Sequence, residues 1–177
     1  TRRFATLDEA VADCALVLGT TGRPRRVYRQ VLTPREAAPL LLKAAGENRS
    51  VAVLFGPERD GLPNDAVDRC HGIITIPTHP DNRSLNLAQA ALVVAYELWM
   101  TASGQANPPA PTSPPTTPMA LSPDLADGQT REAMFAALEA GLRRLYPDTP
   151  ERRLAGAMTR LRALLLRAAP RQEEARA

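Results

Sequence analysis

Hydrophobic positions along this chain change period several times, and each change marks an element. In LDEAVADC, Leu7, Ala10, Val11 and Cys14 recur on one helical face, with Thr6 placed to cap the start and Glu9 three residues on. That spacing predicts a short helix. Residues 15–18 are apolar without interruption and stop at Gly19, the pattern of a strand buried on both faces. Thr33 and Pro34 then open REAAPLLLKAA, a helix to about Ala45 with proline at its first position. Pro39 within it is expected near the N-terminal turn or at a kink.

VAVLFG, residues 51–56, and GIITIP, residues 72–77, read as two more strands. Between them LPNDAVDRCH predicts a short helix starting at Pro63 or Asn64, and after them NLAQAALVVAYELWMTA predicts a long apolar helix. The alternation predicts an α/β fold, a parallel sheet with helices on both faces. In such a sheet the functional edge lies at the carboxyl ends of the strands. There the chain places Gly19-Thr20-Thr21-Gly22, then Gly56 to Gly61, then residues 77–86.

Beyond Gly104 the pattern is lost. QANPPAPTSPPTTPMALSPD holds many of the chain's 17 prolines and almost no charge, so it reads as an extended tether. Helical periodicity returns from Thr130 to about Arg167 in two stripes, Met134, Phe135, Leu138 and Leu142, then Leu154, Met158, Leu161, Leu164 and Leu165. A pair of helices this small is expected to pack on the sheet domain or on a partner chain. The division read from the sequence is residues 1–104 for the sheet domain, 105–129 for the linker and 130–170 for a helical extension.

Composition narrows the function. No apolar run approaches the roughly 20 residues that cross a bilayer, and the N-terminus has no signal-peptide pattern, so the expectation is a soluble, cytoplasmic protein. Cys14 and Cys70 sit singly in apolar segments, which predicts buried thiols and no metal site. A net charge of +3 and a pI near 9.3 are compatible with a polyanionic partner. Arg23, Arg25, Arg26 and Arg29, with Tyr28 among them, are the candidate RNA contact on the sheet domain, against the alternative of a solvated basic surface. The C-terminal arginines could extend that surface.

Three Gly- and Pro-bearing loops on one sheet edge would form a site built largely from backbone groups, suited to a nucleoside-like ligand. No Gly-Lys-Ser/Thr loop and no GxGxxG fingerprint is present, so neither a P-loop nor a dinucleotide site is expected. Glu58 and Arg59 are either site residues or an ordinary exposed ion pair worth about 0–1 kcal/mol. Ser84 and Asn86 are either site residues or helix-capping residues. His79, in a Pro-flanked loop, reads as solvent-facing.

LFGPERDGLPND followed by IPTHPDNRSLNLAQAALVVAYEL resembles the second and third signature motifs of the SpoU/TrmH branch of the SPOUT methyltransferases. GTTGRPR is similar to the first loop of its TrmJ subgroup, and the resemblance covers about Thr6 to Ala102. It implies a C-terminal trefoil knot, a homodimer with sites at the interface, and transfer of a methyl group from S-adenosyl-L-methionine to a ribose 2′-oxygen of RNA. The RNA implied is tRNA, at a cytidine or uridine of the anticodon loop. Carried over position by position, the cofactor would be held at Thr20, Thr21, Gly22, Gly56, Ile76, Ser84, Leu85 and Asn86. Backbone groups at Gly56, Ile76 and Leu85 would hold its adenine and methionine parts, with glycine at 56 leaving room for that approach. Glu58, Asn86 and Ser84 would be the catalytic set, and Arg59 would meet an RNA phosphate.

The family's first motif, a strand and an Asn- and Arg-bearing loop, should lie ahead of Thr6, and TRRFA does not supply it. The expectations are therefore two. The chain is an N-terminally incomplete methyltransferase, or it is a catalytically impaired relative serving as an RNA-binding or dimerisation module.

Overall fold

The computed structural model describes residues 1–22, 30–79, 84–105 and 125–176. Thr6 caps the first helix, α1 (Leu7–Val11), by accepting the Glu9 N–H at 3.2 Å. The helix is shorter than the periodicity suggested, because Cys14 pairs with Ser50 and so opens strand β1 (Cys14–Thr20). Strand β2 (Gln30–Leu32) has no counterpart in the sequence reading. Helix α2 (Pro34–Gly46) starts from a full capping box, with Thr33 accepting from the Glu36 N–H and Glu36 accepting from the Thr33 N–H. Pro39 sits inside α2 on its exposed side.

Strands β3 (Ser50–Leu54) and β4 (Gly72–Ile74), with helix α3 (Asn64–Asp68) between them, complete a four-stranded parallel sheet in the order β2-β4-β1-β3. Helix α2 and helix α4 (Leu87–Ala102) cover one face, over Leu16, Leu18, Leu32 and Ile74. On the other face α1 and α3 meet Val17, Cys70 and Ile73. Burial of both faces explains the unbroken apolar strands. Both cysteines are buried free thiols, and burial, aided by Asp13, pushes Cys14 up to about 11.

His71 closes a gap in this sheet. The β1–β4 ladder begins only at Leu18 and Gly72, and just ahead of it the Val17 N–H donates to His71 Nδ1 at 2.9 Å. A buried imidazole thus satisfies the amide of a strand residue just outside that ladder. His71→Ala is expected to lower unfolding free energy by about 1–3 kcal/mol, the cost of an orphaned buried donor, measured by chemical denaturation.

At the C-terminus, α5 (Gly128–Leu145) and α6 (Glu151–Ala168) form an antiparallel pair, followed by the unforeseen α7 (Gln172–Arg176). Phe135, Met158 and Leu166 are the buried centre of the pair, with Met134, Leu142, Leu161 and Leu165 packed around them. Leu138 and Leu164, which share those stripes, face solvent.

The pair docks on the sheet domain at the amino end of β1. The Gln129 N–H donates to the Ala12 carbonyl at 2.8 Å, and a Cβ on Gly128 would lie 2.2 Å from the Val11 carbonyl, so only glycine permits this approach. Arg131 is 4% exposed and donates to three carbonyls, Ala126 at 2.5 Å, Cys14 at 3.2 Å and Ala15 at 3.3 Å. Burial pushes its guanidinium down to about 10, which leaves it charged at neutral pH. Leu125 and Ala169 add to the core on the α2–α4 face, and the Ala126 N–H donates to the Pro170 carbonyl at 3.0 Å.

Candidate active site

The strand order makes three of the loops neighbours. β1 lies between β4 and β3, so the chain leaving Thr20, Leu54 and Ile74 emerges side by side at one edge of the sheet. Two bonds tie these exits together. Thr20 Oγ1 donates to the Leu54 carbonyl at 2.9 Å, and the Thr21 N–H donates to the Ile74 carbonyl at 3.0 Å. The Thr20 hydroxyl therefore clamps two strand ends. Gly22 follows at the exposed rim, and Arg23, Arg25, Arg26, Tyr28 and Arg29 lie outside the described residues.

The second and third loops meet through one side-chain pair. Asn86 Oδ1 accepts the Ala88 N–H at 2.9 Å, capping α4, while Asn86 Nδ2 donates to Glu58 Oε1 at 3.1 Å. The capping reading of Asn86 holds, and the same amide also bonds the Glu58 carboxylate. Glu58 is bonded to Asn86 and not to Arg59, whose exposed side chain forms no ion pair among the described residues. Ser84 is exposed and is not the cap of α4.

Gly56 and Gly61 are glycines for different reasons. A Cβ at Gly56 would lie 2.1 Å from the Gly61 carbonyl carbon and 2.2 Å from the Leu62 nitrogen, both backbone atoms of its own loop. Closure of the loop therefore requires glycine at 56 whatever binds beside it. Gly61 has open space around it but φ of +69°, and its N–H donates to the Pro57 carbonyl at 2.8 Å. Leu62, which sequence reasoning passed over, anchors the loop in the α1–α3 core. Its signal was visible, as the lone apolar residue in PERDGLPND.

Main-chain groups remain available at this edge. Among the described residues, no hydrogen bond engages the backbone of Gly56, Ile76 or Leu85, and each of the three is partly exposed. Backbone donors and acceptors free at the carboxyl ends of parallel strands suit a ligand with both kinds of polar edge, such as a nucleoside. Among the described residues there is no group of three or more His, Cys, Asp or Glu side chains placed to hold a metal ion.

Residues 1–96 match the SpoU rRNA Methylase family. The chain belongs to that family. It is 38% identical over 175 residues to a tRNA (cytidine/uridine-2′-O-)-methyltransferase TrmJ of Klebsiella pneumoniae, covering 96% of this chain and 66% of that protein. A tRNA (cytidine/uridine/adenosine-2′-O-)-methyltransferase TrmJ of Pseudomonas aeruginosa is 36% identical, over 93% of this chain and 63% of its own length. The chain thus spans just under two thirds of these relatives. Among solved structures, TrmJ from Z. mobilis ZM4 superposes with a TM-score of 0.77 at 36% identity, covering 99% of this chain and 69% of that one.

The SpoU match contains all three site loops and most of α4, while the C-terminal helices fall outside it. The likeness to the TrmJ proteins and to the Z. mobilis structure extends over those helices as well. Among the described residues no helix is long and apolar enough to cross a membrane.

Proposed function

We propose that this chain acts in the 2′-O-methylation of a cytidine or uridine ribose in the anticodon loop of tRNA, with S-adenosyl-L-methionine as donor. The observation that carries the reading is the Glu58–Asn86 bond, which joins the two most specific SpoU loops beside free backbone at Gly56, Ile76 and Leu85. The tRNA preference is supported by relatives whose printed names specify tRNA and which share the chain beyond the SpoU match.

When bound, the donor supplies an electrophilic methyl carbon. Backbone at Gly56, Ile76 and Leu85 would grip the adenine and methionine parts, and Thr21, Gly22 and Ser84 would border them. Transfer is an in-line displacement, so the protein's contribution is chiefly alignment of the ribose oxygen with the methyl carbon. Asn86 holds Glu58 toward that position, Glu58 orients the ribose, and Arg59 takes an adjacent phosphate through its guanidinium fork. Thr20 acts one step removed, by fixing the strand ends from which the loops start. We place the protein in the cytoplasm, with the chain from Ser84 to Ala88 threaded under a neighbouring loop as a trefoil knot.

The active form is a homodimer. Leu92, Tyr96 and Trp99 form an i, i+4, i+7 stripe on α4 and are 69%, 54% and 68% exposed, with Leu87 at 40% nearer the site. A run of large apolar side chains beginning beside the third loop is suited to burial against a second copy, which would bring two sites to one interface.

Calorimetric titration with S-adenosyl-L-methionine, followed by methyl incorporation into unmodified tRNA transcripts, tests the proposal. The expected result is stoichiometric binding and incorporation at a ribose of the anticodon loop. Binding without transfer would favour the RNA-binding or dimerisation module, and absence of binding by the folded protein would remove the cofactor assignment.

A further inference from the structure

Thr75 is the lone polar side chain in the run GIITIP, and it comes directly after β4. Its side-chain oxygen is shielded from solvent and has no hydrogen-bond partner among the described residues. A hydroxyl taken out of water with nothing to bond is a cost that the free protein carries, and folded proteins bond nearly all such groups. Valine would fill the same space in a strand without that cost.

The backbone fixes where this hydroxyl sits. The Thr75 N–H donates to the Leu32 carbonyl at 2.8 Å, extending the β2–β4 ladder by one residue, and the Ile74 carbonyl just before it accepts the Thr21 N–H at 3.0 Å. Side chains alternate between the faces of a strand, and Ile73 lies in the α1–α3 core while Ile74 lies in the α2–α4 core. Thr75 therefore falls on the α1–α3 side, the side on which Leu62 anchors the loop from Gly56 to Gly61. Gly19 pairs with Ile73, which sets Thr75 level with Thr21, one layer further toward the site. The layer below is closed: a Cβ on Gly19 would lie 2.7 Å from Cys70 Sγ and 3.0 Å from Leu62 Cδ1. The layer above is the site edge, where the backbone of Ile76 is engaged by no hydrogen bond among the described residues.

We propose that Thr75 is a further residue of the methyl-donor site, its hydroxyl bonding the uncharged nucleoside part of S-adenosyl-L-methionine. This rests on the cofactor reading given above. A hydroxyl both donates and accepts, so it can serve a ring nitrogen, an exocyclic amine or a ribose hydroxyl. The methionine end carries a full ammonium and a full carboxylate, and bringing either to an atom already shielded from water would cost more solvation than one hydroxyl returns.

Two readouts should move in opposite directions. Thr75→Val keeps the branched shape and removes the hydroxyl. Without ligand, its midpoint of chemical denaturation is expected to equal or exceed that of the wild type, because no bond is lost and an orphaned group is removed. In calorimetric titrations the same variant is expected to bind S-adenosyl-L-methionine and adenosine each about tenfold more weakly, while Thr75→Ser stays within about threefold of the wild type. A lowered midpoint in Thr75→Val would show the hydroxyl already bonded in the free protein and overturn the proposal, as would unchanged affinity for both ligands. Weaker binding of S-adenosyl-L-methionine with adenosine unaffected would overturn the assignment to the nucleoside part. A folded wild type that binds neither ligand would overturn the cofactor reading, and the role of Thr75 with it.

Discussion

Asn86→Asp should leave the fold intact and still reduce methyl transfer to tRNA about a hundredfold or more, the usual loss when one preorganised hydrogen-bond donor is removed from a reacting centre. The structure separates two jobs in this one amide. Oδ1 caps α4 by accepting the Ala88 N–H, and a carboxylate oxygen accepts that bond equally well, with the helix dipole in its favour. Nδ2 donates to Glu58, and aspartate has nothing to donate. The substitution also sets two carboxylates against each other across the former bond, so Glu58 must move away. Asn86→Ala removes both jobs and is expected to abolish transfer, with a further stability loss of about 1 kcal/mol from the missing cap. Methyl incorporation measured beside thermal unfolding distinguishes the cases. Full turnover in Asn86→Asp would show that the residue is only a cap.

Gly56→Ala should be the most damaging single methyl group that can be added to this edge. The new Cβ would fall on the backbone of Gly61 and Leu62 at 2.1 and 2.2 Å, and no flexible side-chain end is there to yield. Relief requires moving Leu62 out of the α1–α3 core and with it the start of α3. The expected loss is about 3 kcal/mol or more, at the upper end of overpacking costs, together with loss of donor binding. Gly61→Ala is the useful contrast. It has free space but must hold φ near +69°, so its cost is of the order of 1–2 kcal/mol and donor binding should survive. Denaturation and calorimetry on the two variants would separate a steric glycine from a conformational one. Equal and small effects would mean that the loop opens more easily than its packing indicates.

What was readable in the sequence followed from local rules. The capping residues Thr6 and Thr33, the buried strands and the short helix after Pro63 all appear where periodicity and caps put them. The misses are positions where distant contacts decide. Cys14 fitted a helical face and instead pairs with Ser50. Strand β2 is three residues long with an exposed valine, and only its ladder with β4 makes it a strand. At the site, the motifs located the loops correctly on one edge, but not why each residue is there. At Gly56 the contact that demands glycine is with the backbone of Gly61 and Leu62, which the motif does not announce. The Thr20 hydroxyl donates to the Leu54 carbonyl, a partner 34 residues away that no local pattern announces. Arg131 could not be told from the other arginines of an amphipathic helix, because its acceptors lie at the opposite end of the sequence.

That last contact has a consequence for how the chain is made. Arg131 bonds carbonyls 116 and 117 residues earlier, across the span that includes the whole sheet domain. Closing so long a loop is entropically costly and is repaid only once both ends are ordered, so contacts of this kind form late. During synthesis the carbonyls of Cys14 and Ala15 must wait for a further 116 to 117 residues before their donor exists. Strand β1 is therefore completed by an element made long after it, and a ribosome stalled between α4 and α5 would hold a sheet whose amino edge is still open to water.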